Sequence, residues 1–387
     1  MHLRPEILLV AACCRWPPSP ERDEAVRAAA SGVDWPLVHR VAVRHRVEGL
    51  VWDALRRAEI ALPQEAARPL QAAAAVVARH NLSLAAESVR LRRAFEAAQV
   101  PVLFVKGLTL AQLAYGSLSL KMGWDIDILV PLDKAEAAAA VLEDAGYRLF
   151  LPAGPRARAG LGAWHVQWKE SGWRRDPDRI FVELHTRLAD NPALIPEITV
   201  DSPQREVEIA RGLSLPTLAE EELFAYLCVH GASSAWFRLK WVADVAALLS
   251  ARPPEEIDSL YRRSQALGAG RAAAQALLLC RALFETQLSP VLLKELESDR
   301  TNRWLAAMAL RKLAGRSMAE EIQAVPLGTA SLYLTQLALL PGIRFKWAEL
   351  RRQLVDPQHR LDSRLPPSLA FLLPLQSLAR RLKKART

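Results

Sequence analysis

From Ile7 to about Gln99 apolar residues recur every three or four positions among many alanines, with breaks at the proline-rich WPPSPE (Trp16 to Glu21) and at Leu62-Pro63. That is the period of helices burying one face. Asp34 to Ala58 carries this pattern behind an N-cap candidate, Asp34, and an early proline, Pro36. At Val100 the period changes. VPVLFVK, ending at Lys106, is a short run rich in β-branched and aromatic residues, read as a buried strand that stops at Gly107. A short helix is expected over Thr109 to Gly116 and a second strand over Trp124 to Pro131. Next comes a helix capped by Asp133, with Glu136 at the capping-box position and Gly146 closing it before a third strand from Tyr147. Further strands are expected at Ala163 to Glu170 and at Arg179 to His185. Helical spacing returns at Thr217, whose capping-box partner is Glu220, and continues to the C-terminus.

These elements predict an α+β fold: a small mixed β-sheet core at residues 100–210, flanked by helical modules at 1–99 and 211–387. No internal repeat of fixed period interrupts it. A chain of 387 residues exceeds one ordinary domain of ~150 residues.

Composition changes the picture only a little. The formal charge is +9, mostly from arginine, and the tail Arg380 to Thr387 (RRLKKART) reads as a solvated helix end. A basic balance favours anionic partners and leaves peripheral membrane contact open, yet no zinc-finger, RNA-recognition or helix-turn-helix pattern emerges, so no stable nucleic-acid partner is expected. Cys13, Cys14, Cys228 and Cys280 form no disulfide framework and fit a reducing cytoplasm. ILLVAACC near the start superficially resembles a lipoprotein signal, but its apolar core is short and Pro5 and Glu6 abut it, so it reads as a buried first helix. The other apolar stretches are interrupted well short of a membrane span.

The chemistry lies in WDIDILVP. On a strand alternate residues share a face, which sends Asp125, Asp127 and Leu129 one way and Ile126, Ile128 and Val130 into the core. Two like charges ~5 Å apart repel by about 3 kcal/mol at an effective dielectric near 20. A divalent cation removes that cost, and magnesium prefers such hard oxygen ligands. D-x-D alone also arises by chance, at caps and in sugar transferases. Glu183, in IFVELH, offers a third carboxylate from a neighbouring strand.

Strand, glycine, short helix and D-x-D strand together resemble the nucleotidyltransferase superfamily of the DNA polymerase β type. More narrowly, Lys106-Gly107, Tyr115-Gly116, DIDILV at Asp125 to Val130, VELH at Val182 to His185, His230-Gly231 and WVAD at Trp241 to Asp244 resemble the bacterial uncharacterised nucleotidyltransferase family. The resemblance implies that Asp125 and Asp127 bind two Mg²⁺ ions, one of them shared with Glu183, and that a nucleoside triphosphate such as ATP is the substrate. It makes Glu183 a metal ligand that could also take the acceptor's proton. Lys106, Gly107 and Lys121 become the phosphate-facing residues, and His185, His230 and Asp244 pocket-lining ones. Each has a plainer reading: Lys106 snorkelling at a strand end, His185 a satisfied core histidine, His230 and Asp244 ties between helices, Trp236 and Trp241 core. Gly231 and the serines at 233 and 234 suggest a helix break between His230 and Asp244.

Two departures stand out. Leu108 replaces the superfamily's serine after the glycine, and Lys121-Met122-Gly123-Trp124 stands where an arginine is common. Three functions follow from the resemblance and its departures: nucleotidyl transfer to a sugar, lipid-linked or peptide acceptor in biosynthesis; glycosyl transfer from a sugar nucleotide through D-x-D; or a degenerate nucleotide-binding scaffold or antitoxin-like partner.

Overall fold

The computed structural model describes residues 3–176, 179–315, 322, 328–354 and 358; the basic tail expected at Arg380 to Thr387 lies outside them. The N-terminal region is helical. The first helix, α1 (Pro5–Cys13), is largely buried, and Cys13 and Cys14 sit deep in the core with α2 (Pro20–Ala29) packed beside it. Asp34 caps α3 (Trp35–His45), its Oδ1 accepting the Leu37 N–H at 3.2 Å. Arg46 then takes a left-handed conformation (φ 56°), so the Asp34 to Ala58 stretch is two helices, the second being α4 (Glu48–Arg57). After the break at Pro63 runs α5 (Gln64–Ala97), which spans 34 residues.

Five strands make the main sheet. In chain order they are β1 (Leu103–Phe104), β2 (Ile126–Leu129), β3 (Arg148–Leu151), β4 (Glu170–Arg175) and β5 (Ile180–His185), arranged β1-β2-β5-β4-β3. Only β2 and β5 pair in parallel, with Asp127 opposite Glu183 and Leu129 opposite His185; β1–β2, β4–β5 and β3–β4 are antiparallel. Between strands lie α6 (Leu108–Tyr115), α7 (Ala135–Asp144) and the short α8 (Leu161–Gln167).

Three local expectations need correction. Residues 163–170 fold mostly as α8 and not as a strand; Trp164 Nε1 donates to the Glu170 carbonyl at 2.7 Å and buried His165 bonds Ser171 Oγ at 3.0 Å, contacts that a helical turn brings together. Asp133 caps nothing: it lies in a 3-10 turn, and Glu136 instead receives the Gly162 N–H and pairs with Arg158. Thr217 belongs to β7 (Leu213–Leu218), which forms a separate hairpin with β6 (Gln204–Ala210), and α9 (Glu220–Ser233) starts without a side-chain cap.

The remaining helices are α10 (Leu239–Leu249), α11 (Pro254–Ala266), α12 (Gly270–Phe284), α13 (Pro290–Ser298), α14 (Arg300–Leu313), α15 (Gly328–Leu337) and α16 (Ile343–Leu354). Two cores meet at the sheet. Ile126, Ile128, Val182 and Leu184 pack with α5, α7 and Trp173 on one side, whereas Leu103, Val105 and Leu129 join the larger cluster built from α1, α3, α4 and α9 to α14. The alternation along β2 thus serves two cores, and its Asp127 side faces the larger one. Among the described residues no helix is long and apolar enough to cross a membrane.

Candidate active site

β1 delivers the first part of the site. The Val105 N–H still donates to the Asp127 carbonyl at 3.1 Å, and at Gly107 (φ 68°, ψ −117°) the chain turns out of the sheet into α6. That backbone conformation disfavours any residue with a Cβ. Thr109 Oγ1 pins the turn by donating to the Phe104 carbonyl at 3.0 Å, while Leu108, the serine's replacement, is buried in the sheet core.

The loop between α6 and β2 is held by a residue that spacing did not single out. Asn81 of α5 is fully buried, donates through Nδ2 to the carbonyls of Leu118 and Lys121, and accepts the Gly123 N–H at 2.9 Å. A side chain on Gly49 would strike the Leu120 carbonyl at 2.5 Å, so α4 closes on the loop from the other side. This clamp sets where Lys121, Trp124 and Asp125 enter the site.

The parallel register of β2 and β5 then places Asp127 beside Glu183. Lys106 Nζ lies 2.6 Å from Asp127 Oδ1 and 3.6 Å from Glu183 Oε2. His185, two residues along the same face, brings Nε2 to 3.1 Å from Asp127 Oδ1 and 3.4 Å from Glu183 Oε2, and its Nδ1 to 3.4 Å from Glu170 Oε2. Burial opposes the His185 proton, but hydrogen bonds to Asp127 and Glu183 overcome it and raise the ring to about 9. Burial likewise opposes charge on Glu183, yet Lys106 and His185 hold its carboxyl well below the usual range. Asp125 is different: burial, with Asp127 next to it, pushes its carboxyl up to about 7 against the pull of Lys106.

Ligand atoms of Asp127, Glu183 and His185 all lie within 4.8 Å of one another. Asp125 stands outside that cluster, but with Asp127 and Lys106 it lines two clefts, one toward Phe104 and Leu215, the other toward α9 and α10. The donor set passes a test of fit for a divalent cation. Asp127 Oδ2 is buried without a hydrogen-bond partner, a costly arrangement that a cation relieves, and carboxylate oxygens suit a hard ion. His185 could join them only after losing its proton.

The second cleft, narrow at about 40 Å³, runs from Gly107 past Asp125 to His230, Lys240, Trp241 and Asp244. The helix does break between His230 and Asp244, since α9 ends at Ser233 and Trp236 tucks under Gly231, where a Cβ would lie 2.4 Å from its ring. Asp244 ties elements together: its Oδ1 accepts the Tyr115 hydroxyl at 3.1 Å and its Oδ2 lies 3.6 Å from Lys121 Nζ. His230 stacks edge-on against Trp241 (5.7 Å), and burial together with Lys106 lowers its ring far below its usual value, so it is neutral. The four cysteines are buried free thiols, with burial pushing them up, which leaves them inert.

Among known families, one described as uncharacterised nucleotidyltransferase matches residues 31–285. The chain belongs to that family. No curated protein matches it. The uncharacterised nucleotidyltransferase segment contains every site residue from Lys106 to Asp244 and also the positioning residues Gly49 and Asn81, whereas α1, α2 and α13 to α16 lie outside it. Membership supports a general nucleotidyltransferase function and leaves substrate and acceptor to be argued from the site.

Proposed function

We propose that this protein transfers a nucleoside monophosphate from a nucleoside triphosphate to an acceptor oxygen on a sugar, a lipid-linked intermediate or a peptide, with Asp125, Asp127 and Glu183 holding magnesium. The acceptor oxygen attacks the α-phosphorus, the new P–O bond forms as the bond to the β-phosphate bridging oxygen breaks, and pyrophosphate leaves with that oxygen. When bound, the cation supplies positive charge that neutralises the phosphates and lowers the pKa of the attacking hydroxyl. Gly107 lets backbone approach the phosphates closely. Glu183 is ionised at neutral pH and held by Lys106 and His185, so it is a weak proton acceptor suited to binding charge; the acceptor's proton leaves to solvent.

The observation that carries this reading is the side-by-side placement of Asp127 and Glu183 by a parallel strand pair, with Asp127 lining a cleft that Gly107 and Asp125 share. A test is to incubate the protein with Mg²⁺, each α-³²P-labelled triphosphate and a panel of sugar, lipid-linked and peptide acceptors. Label on an acceptor supports transfer. In glycosyl transfer from a sugar nucleotide the α-phosphate would stay on the released nucleotide.

One observation favours a second reading. Lys106 Nζ already bridges the two carboxylates, and Leu108 removes a hydroxyl, which suits a nucleotide-binding protein without transferase activity. Calorimetry with Mg-ATP on wild type and on Asp125→Ala/Asp127→Ala separates the two, because such a binder would be indifferent to that change.

A further inference from the structure

Three lysines border the cleft beneath Gly107, and two already have carboxylate partners. Lys106 is held by Asp127 and Glu183, and Lys121 by Asp244. Lys240 has no carboxylate at ion-pair distance among the described residues; its Nζ lies over the Trp241 ring, 6.0 Å from the centroid. It is the second residue of α10, where the helix dipole disfavours a cation, and it is half-buried. A lysine in so unfavourable a place, on the wall of a cleft whose floor is acidic, keeps its charge best beside an anion that arrives from outside.

We propose that Lys240 binds the phosphate chain of the incoming nucleotide. The inference rests on the nucleotide reading above, and it names a residue outside the motifs that suggested that reading. The electrostatics agree with the geometry. Burial first, then Lys121 and Arg46, lower the Lys240 ammonium to about 7, with Lys106 adding to the effect and Asp244 opposing it; Glu48, Asp125 and His230 also face it. A polyanion beside it reverses that balance, so binding near pH 7.5 should draw a proton onto Lys240.

The experiment is calorimetry at pH 7.5 with Mg²⁺, using a non-hydrolysable ATP analogue, tripolyphosphate and adenosine as ligands. It is run on wild type, Lys240→Gln and Lys240→Arg, in two buffers of different ionisation enthalpy, with thermal melts to show that each variant is folded. Loss of one charge-assisted contact predicts affinity for the analogue and for tripolyphosphate reduced about tenfold to a hundredfold in Lys240→Gln. Adenosine binding should be unchanged, Lys240→Arg should recover most of the loss, and the proton uptake of wild type should vanish in Lys240→Gln. Equal affinities in wild type and a folded Lys240→Gln overturn the proposal and leave the nucleotide reading intact. A wild type that binds neither phosphate ligand overturns both. Binding of tripolyphosphate that depends on Lys240 in a protein shown to transfer no label supports this proposal and not the transferase.

Discussion

Replacing Lys106 by methionine keeps most of the side chain's volume and removes the cation between Asp127 and Glu183. Ligand oxygens of those two residues lie within 4.8 Å of each other. At an effective dielectric near 20, two unit charges at that separation repel by about 3.5 kcal/mol. His185, raised to about 9, remains as a partial counter-charge, so the expected loss of stability in metal-free protein is about 2 to 3 kcal/mol, at the low end for breaking a buried pair. Urea unfolding at pH 7.5 and low salt, in EDTA and then in increasing MgCl₂ or MnCl₂, measures it. Because an ion that binds only the folded state at ~100 times its Kd adds about 2.7 kcal/mol, and adds more where no ammonium competes, the gap between variant and wild type should narrow as metal is added. A variant as stable as wild type in EDTA, or a gap unmoved by saturating metal, would refute the view that Lys106 and a cation serve the same carboxylates.

Asp125 gives a pH signature. Burial and the neighbouring Asp127 push its carboxyl up to about 7 in the folded chain, against about 3.9 unfolded, so the unfolded chain loses its proton first as pH rises; the cost builds between those values and is full above them. Asp125→Asn should therefore stabilise the chelated protein at pH 8 and hardly at pH 4; a difference independent of pH in urea unfolding would count against the placement. Gly231→Ala sets a methyl 2.4 to 2.6 Å from the fully buried Trp236 ring and should cost about 1 to 3 kcal/mol, read from the thermal midpoint. Glu87 anchors α5 to the sheet by accepting from Tyr147 (2.7 Å) and Arg175 (2.8 Å), so Glu87→Ala, which removes both bonds, should cost about 1 to 3 kcal/mol. Chemical denaturation showing less than 1 kcal/mol would remove Glu87 from that role.

Local patterns revealed the parts of this fold whose neighbours are close in sequence. Alternation in DIDILV placed Ile126 and Ile128 against one core, and the glycine after Lys106 marked a turn that only a positive φ could make. Where two periods fit equally well, packing decided: AWHVQWKE alternates, yet bonds from Trp164 and His165 to the start of β4 select the helix. The β6–β7 hairpin does carry a local signal, the apolar alternation of Val207 and Ile209 followed by Gly212 at φ 71°. Thr217-x-x-Glu220 imitated a capping box because a buried strand happens to end just before the helix.

The site was legible in its residue types and less so in its partnerships. Asp127 beside Glu183 depends on strand register across 55 intervening positions, and Asn81 reaches its loop from a helix some 40 residues earlier, distances at which no spacing rule operates. Lys106, a phosphate-facing residue by resemblance, lies against Asp127 and Glu183, a partnership no local pattern announces. Lys240 bears no motif; its meaning comes from the charges that folding gathers around it.

The most direct test of the proposed metal centre is titration of Mn²⁺, followed by its electron paramagnetic resonance signal, into wild type and Asp127→Asn in the presence of a non-hydrolysable triphosphate at pH 7.5. Wild type should immobilise the ion together with the nucleotide, and Asp127→Asn should weaken that binding at least a hundredfold, about 2.7 kcal/mol. Equal manganese binding by the two proteins would contradict the account.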